Sequence, residues 1–162
     1  MRLVSRIFVA SAPVVALVAS IAPTALAVEQ PIRYCGYMTA SVVSDQGPKG
    51  ESLGDVRVNT YTLVNKRGTT VGTAEIVTTL VSLSPDQRAQ GRLALNLPDG
   101  KVYGIGEASF GSGFLDPTSP PIRQGYTTAI VGGTGSYAGI RGTIDRSWPA
   151  PRVQCWTLNR VP

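Results

Sequence analysis

The 162-residue chain contains no histidine. That absence removes the commonest general base at neutral pH, the usual partner of a serine nucleophile and the commonest metal ligand. Cysteine is nearly absent as well, with Cys35 and Cys155 as the only two. Charged residues make up only 15% of the chain, and Lys66-Arg67 is the only adjacent basic pair. No basic stripe exists to follow a phosphate backbone, so nucleic acid is not an expected partner. Neither a metal nor a cofactor is expected from this inventory. Beyond the first residues, no window of eleven or more keeps a helical period.

The N-terminus reads as an address. Arg2 and Arg6 form a positive region, Ile7 to Ala22 is an almost unbroken apolar run, and Ala25-Leu26-Ala27 is a small-x-small cleavage site. The run is shorter than the roughly 18 to 20 apolar residues a spanning helix needs. Residues 1–27 are therefore expected to be a cleaved secretory signal, with an uncleaved anchor as the alternative and no stable membrane span in the mature chain. A single domain, 28–162, is left, and its expected location is outside the cytoplasm. In that compartment an even pair of cysteines reads as a disulfide, against the alternative of two buried free thiols. A Cys35–Cys155 bond leaves neither a cysteine nucleophile nor a zinc ligand.

What is present is β-structure. Runs rich in Val, Ile, Thr and Tyr occur at Ile32 to Val43, Asp55 to Asn65, Thr70 to Ser82, Gln87 to Leu97, Lys101 to Phe110, Arg123 to Val131, Ile140 to Ser147 and Val153 to Val161. Turn residues separate them: Lys66-Arg67-Gly68, Ser84-Pro85-Asp86, Pro98-Asp99-Gly100, and the proline-rich Asp116 to Pro121. Eight such strands suit an all-β, antiparallel up-and-down barrel with the shape of a lipocalin, which leaves no exposed sheet edge. Cys35 and Cys155 fall in the first and last runs, which are neighbours in such a barrel. A bond between them would close a 120-residue loop, worth roughly 4 to 5 kcal/mol in chain entropy. A sandwich is the alternative that also brings the termini together.

The glycine-rich stretch Ala129 to Gly142 follows an apolar run, as in a dinucleotide-binding βαβ unit. Such a unit needs a helix, another strand and an acidic residue about 20 positions on. Thr143 to Pro162 contains Trp148-Pro149-Ala150-Pro151 and reads as strand and turn. The glycines are therefore expected to serve a tight turn and close strand approach.

The segment V-G-G-T-G-S-Y-A-G-I-R-G, Val131 to Gly142, resembles the signature hairpin of allene oxide cyclases and dirigent proteins. Gly54-Asp55-Val56, Val71-Gly72-Thr73-Ala74 and Asp99-Gly100-Lys101-Val102-Tyr103-Gly104 match in order. The resemblance implies a barrel closed by a disulfide like Cys35–Cys155, and a relation to bacterial polyketide-pathway barrels that catalyse ring closure. The first-strand acid of the plant families is missing from Tyr34-Cys35-Gly36-Tyr37-Met38-Thr39.

The expected function is that of a secreted, cofactor-independent cyclase, of Diels-Alderase or oxacycle-forming type, folding a largely apolar polyene or polyketide-like substrate inside the barrel. The alternatives are a non-catalytic lipocalin-like carrier and a dirigent-like barrel that orients radicals made elsewhere; a homo-oligomer is left open. Glu75 and Glu107 stand in apolar or small-residue runs, and a carboxylate aimed into a dry barrel would act as a general acid or base. By alternation Glu107 shares a face with Tyr103 and Ile105, while Val102, Ala108 and Phe110 form the competing face. Arg141 and Tyr103 match polar positions of the resembling families and are expected to polarise a substrate oxygen. Tyr37, Tyr61, Tyr126 and Trp156 complete the candidate lining.

Overall fold

A computed structural model describes residues 30–83, 87–111, 113–116 and 126–161. The expected secretory signal, the Ser84-Pro85-Asp86 turn and most of the proline-rich stretch lie outside the described residues. Eight strands follow one another: β1 Ile32–Ser44, β2 Val56–Val64, β3 Thr70–Ser82, β4 Gln87–Leu97, β5 Gly100–Gly111, β6 Tyr126–Gly133, β7 Gly142–Ala150 and β8 Val153–Arg160. They form a closed barrel in sequence order, and every neighbouring pair is antiparallel. β1 pairs with β8 to complete the ring, so none of the eight described strands stands at the edge of an open sheet.

Cys35 and Cys155 are register partners on that closing pair, and a disulfide joins them. The bond ties the two strands most distant in sequence. No free cysteine is found among the described residues.

The two ends of the barrel differ. At the end holding the β4–β5 turn, Leu63, Leu95, Leu97, Val102, Ile144, Trp156 and Leu158 form one buried cluster. A 3-10 turn, Gly135–Tyr137, plugs this end with the buried side chain of Tyr137. The glycine-rich hairpin is what allows the plug. Gly135 has φ +61°, and a Cβ there would lie 2.2 Å from the Asp99 carbonyl oxygen, so only glycine fits. The hairpin's amides are spent within the protein: Thr134 N–H donates to the Lys101 carbonyl at 2.9 Å and Ser136 N–H to the Asp99 carbonyl at 2.8 Å. They are not held open as a phosphate cradle.

At the other end the β1–β2 loop meets the segment that follows β5. A smaller cluster of Leu80, Ala89, Ala108, Phe110 and Phe114 sits there. Phe114 and Phe110 meet edge to face, with ring centres 5.2 Å apart. Glu51 fastens the segment by accepting hydrogen bonds from the Gly113 and Leu115 amides at 2.7 and 3.4 Å and from the Gln87 side chain. Burial alone would raise the Glu51 pKa, but these bonds and one from the Phe114 amide hold it below the usual carboxylate value. Asp55 is likewise held low against its burial, by the Ser52 and Gln46 amides and the Ser52 hydroxyl.

Candidate functional site in the barrel interior

Strand alternation decides which side chains face inward. On β2 these are Arg57, Asn59, Tyr61 and Leu63, all buried, whereas Val56, Val58 and Val64 lie on the half-buried outer face. On β7 the inward row is Ile144, Arg146 and Trp148, and on β8 it is Gln154, Trp156 and Leu158. Registry lines up Tyr126 of β6, Arg146 of β7, Trp156 of β8 and Tyr34 of β1 as successive partners around the wall. A belt of aromatic and polar groups therefore runs around the inside, next to the apolar cluster.

Arg146 is the centre of this belt. It is 5% exposed, and its guanidinium lies 5.7 Å from the Tyr126 ring centre and 5.8 Å from that of Trp148. Those two rings meet edge to face at 85°, forming a corner around the cation. Tyr126 is itself fixed, since its hydroxyl donates to the Ser109 carbonyl at 3.1 Å and accepts from the Ser109 amide at 2.9 Å. Burial lowers the Arg146 pKa to about 10, with Tyr61 and Tyr126 acting in the opposite sense. The guanidinium still carries its charge at neutral pH.

Tyr61 lies on the far side of the belt and packs edge to face on Trp156 at 5.2 Å. Burial pushes its pKa up to about 12, against the pull of Arg57, Arg146 and a hydrogen bond with Asn59. It is thus a neutral phenol at physiological pH, able to donate. Arg57 lies 5.6 Å from the Phe110 ring centre and bonds Asn59 Oδ1 through Nε at 3.3 Å. Its pKa is lowered by burial, with Tyr61 and Asp116 opposing.

Along the register row that runs from Arg57 across β3, β4 and β5, no residue is larger than threonine. Arg57 pairs with Thr78, Thr78 with Gly91, and Gly91 with Gly106. A Cβ at Gly106 would fall 2.9 Å from Thr128 Oγ1, so the missing side chain lets Thr128 turn inward. Several buried polar atoms have no hydrogen-bond partner among the described residues: Thr128 Oγ1, Arg146 Nε, both ends of the Gln154 amide and Trp156 Nε1. Buried polar groups are normally paired. The five named here lie together in one belt, which makes it the candidate site.

Of the eight lining and polarising residues expected from sequence, the structure brings Tyr61, Tyr126 and Trp156 into the interior. It places Tyr37, Glu75, Tyr103 and Glu107 on the outer faces of their strands and leaves Arg141 exposed outside the strands. Tyr37 is 58% exposed, and Tyr103 is exposed as well. Glu75, Glu107 and Arg141 are also exposed. Glu107 pairs with Arg88 at 3.3 Å on the surface, because the competing face of β5, with Val102, Ala108 and Phe110, is the one that fills the barrel. Arg141 stands just ahead of β7, with its carbonyl accepting from the Val161 amide at 3.1 Å.

Arg146, Arg57, Asn59, Gln154 and Trp148 were not anticipated. For Arg146 and Trp148 a signal existed, since both share alternation with the apolar Ile144.

No protein-family model and no curated protein matches the chain. Solved structures do match. Pyocyanin demethylase superimposes with a TM-score of 0.66 at 20% identity, covering 82% of this chain and 100% of the other. The pterocarpan synthase dirigent protein PsPTS1 gives 0.57 at 14% identity, covering 82% and 96%. The exo-specific intermolecular Diels-Alderase AbnU gives 0.56 at 13% identity, covering 82% and 95%. At these identities the likeness shows the fold, and the fold is that of the dirigent and Diels-Alderase barrels. No helix among the described residues is long and apolar enough to cross a membrane.

Proposed function

We propose that this protein is a cofactor-independent cyclase that works outside the cytoplasm and folds a flexible, conjugated small molecule inside the barrel. The observation that carries the reading is Arg146, a buried guanidinium cornered by Tyr126 and Trp148. Cyclisation makes modest demands on side-chain chemistry. A barrel that holds two reacting ends in a near-attack geometry supplies roughly 7 to 11 kcal/mol through orientation. A donor aimed at a carbonyl oxygen then stabilises the charge that develops during bond formation. Arg146 and the neutral Tyr61 hydroxyl are placed for that role, and Tyr126, Trp148 and Trp156 provide flat apolar walls. Support for the cyclase class comes from neighbours described as a Diels-Alderase and a dirigent protein, and support for the location from the disulfide.

A second reading has its own support. Among the described residues the titratable groups of the belt are arginines and tyrosines, without a carboxylate base, which suits a barrel that carries or orients a ligand while chemistry occurs elsewhere. Deletion of the protein from its producing cell, followed by metabolite profiling, separates the two. An intramolecular cyclase converts its substrate into an isomer, so loss of the protein should make an uncyclised compound of the same mass as the lost product accumulate. Wild-type protein should reverse this and Arg146→Met should not. An unchanged profile would remove the cyclase reading.

A further inference from the structure

The proposed reading leaves open what kind of molecule the belt is built for, and the charge balance of the interior bears on that. A buried cation costs several kcal/mol unless it is paired and hydrogen-bonded. Arg57 has Asp116 as an electrostatic counterpart. Arg146 has no carboxylate among the groups that bear on it, only the phenols Tyr61 and Tyr126. Its nearest acid in sequence, Asp145, faces outward and is engaged with Thr127 at 2.9 Å and Asn159 at 2.8 Å. Within the described residues, the charge of Arg146 is thus left without its complement.

The edge of the guanidinium is available where the complement would sit. Tyr126 and Trp148 face the cation, while Nε has no partner among the described residues. Nε and the neighbouring terminal nitrogen form the fork that takes a carboxylate or an enolate side-on. Gln154 stands two residues along β8 from Trp156, the register partner of Arg146. It is 1% exposed, and neither end of its amide has a partner among the described residues. Trp156 Nε1 and Thr128 Oγ1, on the strands either side of β7, are in the same condition. Four unpartnered polar atoms beside one unneutralised cation, whose own Nε is also unpartnered among the described residues, describe a polar socket with aromatic walls.

Resting on the proposed reading of the barrel as a small-molecule site, we infer that its ligand is a planar, conjugated organic anion. Its carboxylate or enolate is held by Arg146 and its second polar group by Gln154. The flat part of the molecule lies against Tyr126, Trp148 and Trp156, and the small-residue wall of Thr78, Gly91 and Gly106 accommodates its width.

The test uses a matched pair of probes, 2-naphthoate and its neutral methyl ester. The chain has only two tryptophans, Trp148 and Trp156, and both stand in the belt, so quenching of intrinsic fluorescence reports binding there. The acid should bind at least about 10-fold more tightly than the ester to the wild-type protein. Arg146→Met should abolish that preference while leaving ester binding within about 3-fold, and Arg146→Lys should keep part of it. Gln154→Leu should weaken both probes. Circular dichroism confirms that each variant is folded. Equal binding of acid and ester, a preference that survives Arg146→Met, or binding of neither probe would overturn the inference. Because no turnover is read, a charge preference without cyclisation would remove the cyclase reading alone. Cyclisation of a neutral substrate by a protein indifferent to charge would remove this inference alone.

Discussion

The two halves of the barrel interior are built from the same alternating strands yet solve different problems. Around the 3-10 turn the inward positions are Leu63, Leu95, Leu97, Val102, Ile144 and Leu158, sealed by Tyr137. Toward the β1–β2 loop the same strands present Arg57, Asn59, Thr78, Gly91, Gly106, Arg146 and Gln154. The first set excludes water and holds the fold. The second includes two buried cations and the Gln154 amide, which has no partner among the described residues, and stability alone would not select them. The difference gives one half the packing that holds the fold and leaves the other as the half on which the proposed ligand site rests.

The sharpest way to break that division is to remove large groups from the apolar half. Leu95→Ala would strip a fully buried side chain from the cluster it forms with Leu63 and Val102, and a loss of about 2 to 5 kcal/mol is expected in urea titration. A loss under about 1 kcal/mol would mean that this half is not the structural anchor. Replacing Cys35 and Cys155 by serine releases the 120-residue closure and should cost about 2 to 5 kcal/mol in the same assay.

The polar half should respond with the opposite sign. Arg146→Met keeps the length of the side chain and removes a buried charge, so the folded state should gain about 1 to 3 kcal/mol, raising Tm while abolishing function. The pH dependence follows from the same cause. The folded pKa of about 10 lies below the ordinary value of a guanidinium, so the charged form is penalised in the fold. That cost is present at every pH below about 10 and is relieved as pH rises from there toward the ordinary guanidinium value. A variant less stable than wild type would show that Arg146 is paired in the resting protein and would weaken the division. Glu51 gives a smaller effect. Its hydrogen bonds keep its folded pKa low, so its contribution is full above the usual carboxylate range and lost as pH falls through the lowered value. Glu51→Gln should cost about 1 kcal/mol near neutrality and flatten stability against pH in the acid range.

The strands were almost fully legible in the sequence. β3 and β4 coincide with the expected runs, and the turn residues mark most of the boundaries, because backbone chemistry is local. Which face points inward was not. On β2 the valines at 56, 58 and 64 face outward and Arg57, Asn59 and Tyr61 inward, so hydrophobicity points the wrong way. On β5 two plausible faces competed, and only the pairing of β5 with β4 and β6 settles which one fills the core. Arg57, Asn59, Arg146 and Gln154 violate the apolar-inside pattern, and they were missed for that reason, whereas the aromatic neighbours Tyr61, Tyr126 and Trp156 were legible.

The outer wall offers the smallest expected effect and the most direct check on the choice of Arg146. Arg141, Tyr103, Glu75 and Glu107 were expected to act on substrate, yet all four are exposed. A donor stabilises a developing charge only from hydrogen-bond distance, and a side chain on the outer face of a closed sheet is separated from the interior by the backbone itself. Arg141→Ala and Tyr103→Phe should therefore change product formation less than about 2-fold, where loss of a positioned donor commonly costs about 10²-fold or more. Glu107→Gln should remove only the exposed pair with Arg88 and shift stability by less than about 1 kcal/mol. Product formation by these variants beside Arg146→Met decides the matter. A large loss in an outer-wall variant with its fold intact would place the chemistry on the outside of the barrel and return the interior belt to packing.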